Sequence, residues 1–503
     1  MVDINNKLEQ ISELIENEFY FTINKPRQYG KTTTLNELVN FIKDKYLVIS
    51  ISFEGIGDDV FQNEEVFSKV FIELLSESIE LTDENESKRL ISLANNIINI
   101  KDLSKAITNF VKNSSKQVVL LIDEVDKSSN NQLFLSFLGM LRNKYLAREV
   151  GRDFTFKSVI LAGLYDVKSL KLKLRLEEEA KYNSPWNIAV DFNVDMSFSS
   201  TEISTMLMDY SKDNNLPMDA KEISEEIYFF TGGYPFLVSK LCQIIDEKIY
   251  IDNKKSWNIN DVKMAVKIIN EEGNTLFQSI VKNLENNKEL YDLTKRILID
   301  GEEIIFNQLD SIISIGLTYG MFKKGKDGLE ISNKIFEEII YNYMISKIRT
   351  SAKNISLYNV KLKFIKENRE LDIEKILKKF QQFMKEQYSS KDEEFIEHHG
   401  RLLFLAFIKP IINGTGFDFK EVQISEEKRL DLVIIYNNFK YIIEMKIWRG
   451  PKYHEDGINQ LCDYLDIHNL DKGYLLVFNF NKNKEFKEER VSIKGKNIFA
   501  VYV

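Results

Sequence analysis

FTINKPRQYGKTTT, residues 21 to 34, runs from an apolar stretch through Gly30-Lys31-Thr32 into an amphipathic pattern. Phe19 to Ile23 predicts a buried strand, and the apolar spacing from Thr33 to Ile42 predicts a helix. A loop between two such elements aims backbone N–H groups and the positive end of a helix at an anion. Arg27, Gln28, Tyr29, Gly30 and Thr33 would then surround the phosphates of ATP. Lys31 would reach the outer phosphates, and Thr32 would give its hydroxyl to Mg²⁺. Such loops usually open with glycine five residues before Gly30, where this chain has Lys25. A side chain there narrows the backbone angles open to the loop.

A second stretch, VVLLIDEVDK at residues 118 to 127, decides between a chance loop and a nucleotide site. Five apolar residues followed by two carboxylates predict a buried parallel strand with acids at its C-terminal tip. Asp123 is placed to hold the Mg²⁺ shell and Glu124 to orient or deprotonate an attacking water. Alone, the stretch reads as a core strand with an acidic turn. With the loop upstream, it reads as the second half of a P-loop NTP hydrolase.

Other strands are expected at Leu47 to Phe53, residues 155 to 163 and Trp186 to Phe192, with helices over residues 59 to 112 and from Asn131 to Arg142. Strands alternating with helices imply a doubly wound parallel sheet over residues 1–197, with nucleotide at its C-terminal edge. After the strand at 155 to 163, many ATPases of this shape carry Thr, Ser or Asn facing the γ-phosphate; here Ala162-Gly163-Leu164 follows. Tyr165 and Asp166 are the nearest polar residues. Arg142, Arg148, Arg152 and Arg175 are candidates for a charge-neutralising finger.

The 503 residues imply several domains, and 44% hydrophobic content is ample for packed cores. A net charge of −9 leaves nucleic-acid contact to local patches. Cys242 and Cys462 have no metal-ligand spacing, and neither a signal peptide nor an apolar membrane span is evident, so a soluble cytoplasmic protein is expected.

Residues 198–285 read as a helical lid in which Thr231-Gly232-Gly233-Tyr234-Pro235 ends one helix and starts another. This signature resembles that of the lid in the archaeal-ATPase and STAND branch of AAA+ proteins, and the resemblance implies that Pro235 lies near the adenine. Residues 286–345 order as a winged helix, with strands at Leu317 to Phe322 and Leu329 to Ile331 around a wing at Lys324 to Gly328. Residues 346–385 hold eleven Lys or Arg against four Asp or Glu, a basic helical linker able to contact phosphates.

Residues 386–503 carry a second chemistry. LDLVIIY (430 to 436) and KYIIEMKI (440 to 447) predict a hairpin, followed by a helix at Glu455 to Ile467 and a closing strand at Tyr474 to Phe478. Asp431 starts the first strand, and Glu444 and Lys446 share one side of the second. Two carboxylates make a hard-oxygen site for Mg²⁺ or Mn²⁺, and an ammonium beside them can hold water or neutralise phosphate charge. The order of elements and the residues Asp431, Glu444 and Lys446 resemble the PD-(D/E)XK nuclease superfamily, a restriction-endonuclease-like α/β fold. That resemblance implies Asp431, Glu444 and Lys446 as catalytic residues, with Asp431 and Glu444 as metal ligands. Glu397, Gln460 and Tyr464 are possible helpers, and Leu430 stands where the motif usually has proline. His398, His399, His454 and His468 show no zinc spacing.

Together the loop Lys25-Pro26-Arg27 through Lys31, Asp123-Glu124 and the run Glu444 to Gly450 resemble the bacterial and archaeal AAA-ATPase-like family. The expectation is a multidomain α/β protein, an ATP-controlled, metal-dependent nuclease acting on nucleic acid, DNA above RNA. Defence against phage or mobile DNA follows only by analogy, and a homo-oligomer is expected of the ATPase class. The competing expectation is a signalling or scaffold ATPase whose last domain binds without cutting.

Overall fold

The computed structural model describes residues 2–128, 132–164, 186–249, 256–298, 302–326, 328–351, 364–387, 393–412, 416–420, 423–425, 428–429, 432–436, 439–479 and 485–503. The chain forms two compact units: Met1–Ile280 with Asn307–Lys324 and Ser332–Phe336, and Val281–Phe306 with Gly325–Ile331 and Glu337–Val503.

The first unit starts with α1 (Asn5–Glu16), β1 (Phe21–Asn24), α2 (Lys31–Ile42) and β2 (Leu47–Ser52). It continues with α3 (Glu64–Ile79), α4 (Glu84–Ala94), α5 (Ile100–Asn113), β3 (Val118–Asp123), α6 (Gln132–Glu149) and β4 (Ser158–Gly163). All four strands are parallel in the order β1-β4-β3-β2, so β4 stands between the loop strand and the acidic strand. Alternate residues of β3 serve two cores. Val118, Leu120 and Ile122 pack with α3 to α6, while Val119 and Leu121 pack with α1 and α2. This two-sided burial explains the unbroken apolar run in the sequence.

Trp186 to Phe192 is not the expected strand: only Val190 makes an isolated parallel bridge, to Phe21. Trp186 is instead a fully buried core side chain, its ring 5.9 Å from that of Tyr20. The apolar signal there reported burial, not pairing. Arg148 is likewise not free for catalysis. Its guanidinium donates to the carbonyls of Phe156, Lys157 and Glu18, and it lies over the rings of Tyr20 and Tyr145. These partners sit at the N-terminal edge of the sheet, away from the loop. Arg142 bonds Asn187, and Arg175, Tyr165 and Asp166 fall outside the described residues.

The stretch expected as a lid contains α7 (Ser200–Asp213), α8 (Ala220–Thr231), α9 (Pro235–Ile244) and α10 (Ile259–Glu271). Ser199 and Glu202 form a capping box at the start of α7, and Glu202 also pairs with Lys7 of α1 at 2.5 Å. The corner between α8 and α9 depends on two left-handed glycines, Gly232 at φ 55° and Gly233 at φ 73°. The Thr231 hydroxyl accepts the Gly233 N–H at 3.2 Å, and Pro235 opens α9 at a position that needs no N–H.

Next come α11 (Thr275–Asn286), α12 (Lys288–Leu298), α13 (Ser311–Thr318), β5 (Phe322–Lys324), β6 (Leu329–Ile331) and α14 (Lys334–Ser351). Leu317 belongs to α13 and not to a strand, and β5 starts at Phe322. The two units share this segment.

In the second unit, α15 (Ile373–Gln387) and α16 (Glu393–Ile412) precede β7 (Gly416–Lys420), β8 (Gln423–Ser425), β9 (Lys428–Arg429), β10 (Leu432–Tyr436) and β11 (Phe439–Ile447). Then follow α17 (Pro451–Ile467), β12 (Lys472–Phe478), β13 (Glu488–Ile493) and β14 (Lys496–Tyr502). The six-stranded sheet runs β13-β14-β12-β11-β10-β7, with β11, β12 and β14 parallel and the outer pairings antiparallel. The strand at Tyr474 to Phe478 therefore lies inside the sheet and does not close it. The basic stretch is also more than a linker: the Gln381 amide in α15 donates to the Tyr502 carbonyl at 2.8 Å, and Phe380 packs on Phe404, Phe407 and Phe478. Among the described residues no helix is long and apolar enough to cross a membrane.

A Cβ on Gly233 would overlap the Phe198 carbonyl oxygen as well as take a left-handed φ. Gly233→Ala should destabilise the first unit by at least about 2 kcal/mol, seen as a lower calorimetric melting temperature for that unit.

Candidate functional site

The loop of the first unit turns on two left-handed residues, Gln28 at φ 55° and Gly30 at φ 80°. Lys25 is not one of them, so the missing glycine costs no forbidden backbone angle. Its ammonium lies 5.8 Å from the centre of the Phe192 ring, and burial lowers its pKa. Gly30 is the N-cap of α2 and offers no side-chain cap, which leaves the N–H groups of the first turn, including Thr32 and Thr33, aimed at the loop's hollow.

Lys31 donates to the carbonyls of Lys25 and Pro26 at 2.9 and 3.0 Å. Burial pulls its pKa down, opposed by the carboxylates of Glu124, Asp126 and Asp123. The Thr32 hydroxyl donates to Asp123 at 2.6 Å, joining the loop to the acidic strand. Asp123 also accepts the Glu124 N–H at 2.8 Å, and Glu124 holds a left-handed φ of 55° that turns the chain sharply off β3. An uncapped helix start, a lysine and a hydroxyl–carboxylate pair suit a nucleotide triphosphate with Mg²⁺. Lys31 and the α2 N–H groups would hold phosphates, Thr32 and Asp123 the metal's shell, and Glu124 a water.

Pro235 sits beside the loop, with its ring 3.8 Å from where a Cβ on Gly30 would lie. Sequence reasoning missed its neighbour. The Tyr234 hydroxyl donates to the Arg27 carbonyl, and its ring meets those of Tyr29 at 4.8 Å and Phe336 at 5.3 Å. Gln28 reaches Thr275 at 3.3 Å. A Cβ on Gly320 would come within 2.8 Å of Pro26, so only glycine lets that turn approach the loop. The aromatic inside a Gly-Gly-x-Pro corner was the available signal.

In the second unit, Glu444 and Lys446 lie on the face of β11 that α17 covers. Glu444 is 1% exposed, and its carboxylate meets the Lys446 ammonium at 2.8 Å. Lys446 donates to Gln460 at 3.2 Å, and Gln460 donates to the Tyr464 hydroxyl at 2.5 Å. The lysine stem runs past Gly457, where an added Cβ would make ordinary contact with its Cγ at 3.5 Å. Arg401 braces the strand through the Met445 carbonyl at 2.9 Å. Asp431 and Leu430 lie outside the described residues, as do the side chains of Glu397, His398 and His399. No cluster of three metal-ligating side chains occurs among the described residues. His454 bonds the Tyr502 hydroxyl at 2.9 Å and His468 the Lys440 ammonium at 3.3 Å.

The family model for an AAA-like domain matches residues 5–342, two thirds of the chain. The chain belongs to the AAA-like domain family. The match takes in nearly all of the first unit and the first part of the second. An uncharacterised WD repeat-containing protein of Synechocystis is 22% identical over 366 residues, which is 67% of this chain and 28% of that relative. The chain spans little more than a quarter of that relative's length. Among solved structures, the Walker-type ATPase of Pyrococcus abyssi is similar at 13% identity and a TM-score of 0.46, over 68% of this chain and 96% of that one. The RuvB Holliday junction branch migration motor of Thermotoga maritima is similar at 13% identity and a TM-score of 0.35, over 67% and 95%.

Tyr234→Phe keeps the ring packing but strands the Arg27 carbonyl, at a cost of about 1 kcal/mol or more. ATPγS affinity, measured calorimetrically, should fall about tenfold.

Proposed function

We propose that this AAA-like protein is an ATP-controlled, metal-dependent nuclease acting on DNA. The observation that carries the reading is the Glu444–Lys446 pair. A carboxylate 1% exposed and locked at 2.8 Å to an ammonium is expensive to bury, and apolar residues would fill the space at lower cost. Ionisable pairs of this kind concentrate at functional sites. Gln460 and Tyr464 extend the pair along α17 as polar groups facing the same strand. Glu444, with Asp431, would hold Mg²⁺ or Mn²⁺, which supplies Lewis-acid stabilisation of a phosphodiester. Lys446 would position water or offset the charge that grows on phosphate.

ATP binding and hydrolysis at Lys31, Thr32, Asp123 and Glu124 would control cleavage, with the lid reading the loop through Tyr234 and Pro235. Foreign DNA is the substrate this pairing of a motor and a cutter suits, and a homo-oligomer is the form in which an arginine such as Arg152 could act on a neighbour's nucleotide.

Purified protein should cut supercoiled plasmid with Mg²⁺ or Mn²⁺, at a rate that changes on adding ATP. Glu444→Ala should lower cutting at least a hundredfold while ATP hydrolysis persists. Lys31→Ala should abolish the response to ATP. Normal ATP turnover and DNA binding without cleavage would instead favour a signalling or scaffold ATPase, and unchanged cutting in both variants would refute the proposal.

A further inference from the structure

The tip of β4 lies between the loop strand and the acidic strand, and its last residue is Gly163. A side chain there would push the Asp126 carboxylate aside. A Cβ on Gly163 would come within 2.7 Å of Asp126 Oδ1 and 3.1 Å of Val125 Cγ2. Gly163 is not among the residues of positive φ, so the constraint here is the Asp126 carboxylate and not the backbone angle. Asp126 stands on the short 3₁₀ turn Val125–Ser128 that follows Glu124, and its Oδ1 accepts the Leu164 N–H at 3.0 Å. One carboxylate therefore ties the exit of β3 to the exit of β4. It is also one of three carboxylates whose charge bears on Lys31.

We propose that Asp126 is a positioning residue of the ATPase site, filling the place denied to a side chain at Gly163 and holding water at the outer-phosphate end. The proposal rests on the reading of this loop as an ATP site. The chemistry differs from that of a Thr, Ser or Asn at the same tip. Those side chains can donate to a γ-phosphate oxygen; a carboxylate only accepts and repels the phosphate. Its partners must be donors, which here means Lys31, the attacking water or the waters of a bound Mg²⁺. The Leu164 N–H engages Oδ1, which leaves the second oxygen for such a donor.

The test uses the full chain with Asp126→Asn, which keeps an oxygen for the Leu164 N–H, and with Gly163→Ala as a control that crowds the same spot. Asp126→Asn should melt within a few degrees of wild type and lower kcat for ATP at least tenfold, with KM changed less than about threefold. Metal-free ATPγS, titrated calorimetrically, should bind it three- to tenfold more tightly than wild type, because one negative charge beside the triphosphate is gone. Gly163→Ala should displace the carboxylate and lower kcat without tightening metal-free binding. A fold-stabilising role alone would lower the melting temperature and leave metal-free affinity unchanged, which overturns the proposal. So does an Asn variant with wild-type kcat in a chain that binds and hydrolyses ATP. A wild-type chain that binds no nucleotide overturns the ATP-site reading itself, and the proposal with it.

Discussion

The hydrogen bond from the Thr32 hydroxyl to Asp123, 2.6 Å long, joins residues 91 positions apart. It can form only if α2 starts where the loop ends and β3 stops where its apolar run stops. β4 must also lie between β1 and β3 without crowding the pocket between their tips. Each requirement is met by a local feature: the left-handed Gly30, the sharp turn at Glu124 and the bare Gly163. The apolar strands supply the stability, buried on both faces, and the polar groups at their ends are held at fixed spacing by that burial. The loop is then closed from a second side, where the lid corner presents Tyr234 and Pro235.

The strands at the phosphate loop and at Asp123 were legible because both faces are buried, which writes an uninterrupted apolar run ending in chemistry. The lid corner was legible from Thr231-Gly232-Gly233, whose glycines answer to angle and to the Phe198 carbonyl. Other features were not. β13 is an edge strand in which Glu488 and Arg490 alternate with half-buried residues, so no apolar run marks it in the sequence. Trp186 and Val190 misled in the opposite direction, since a buried loop needs apolar residues as much as a strand does. The roles of Arg148, Asp126 and Tyr234 depend on partners that sequence spacing does not bring together.

In the second unit, Glu444 and Lys446 were legible as alternating residues of one strand. Their burial was not, because it is imposed by α17 and by the Gln460–Tyr464 pair that it carries. Burial changes the meaning of the motif. On an exposed hairpin a Glu and a Lys two residues apart form a solvated pair of little consequence. Beneath a helix the same two groups lose water, and the protein gives up stability to keep them.

In the proposed function, nucleotide at the loop governs chemistry at Glu444. The most direct measurement is the rate of plasmid cleavage against ATPγS concentration, set beside calorimetric ATPγS binding, in wild type and in Tyr234→Phe. The midpoint of the cleavage response should coincide with the dissociation constant, and both should move by the same factor in the variant. A cleavage rate indifferent to ATPγS, or a midpoint that stays in place while binding weakens, would contradict the proposed function.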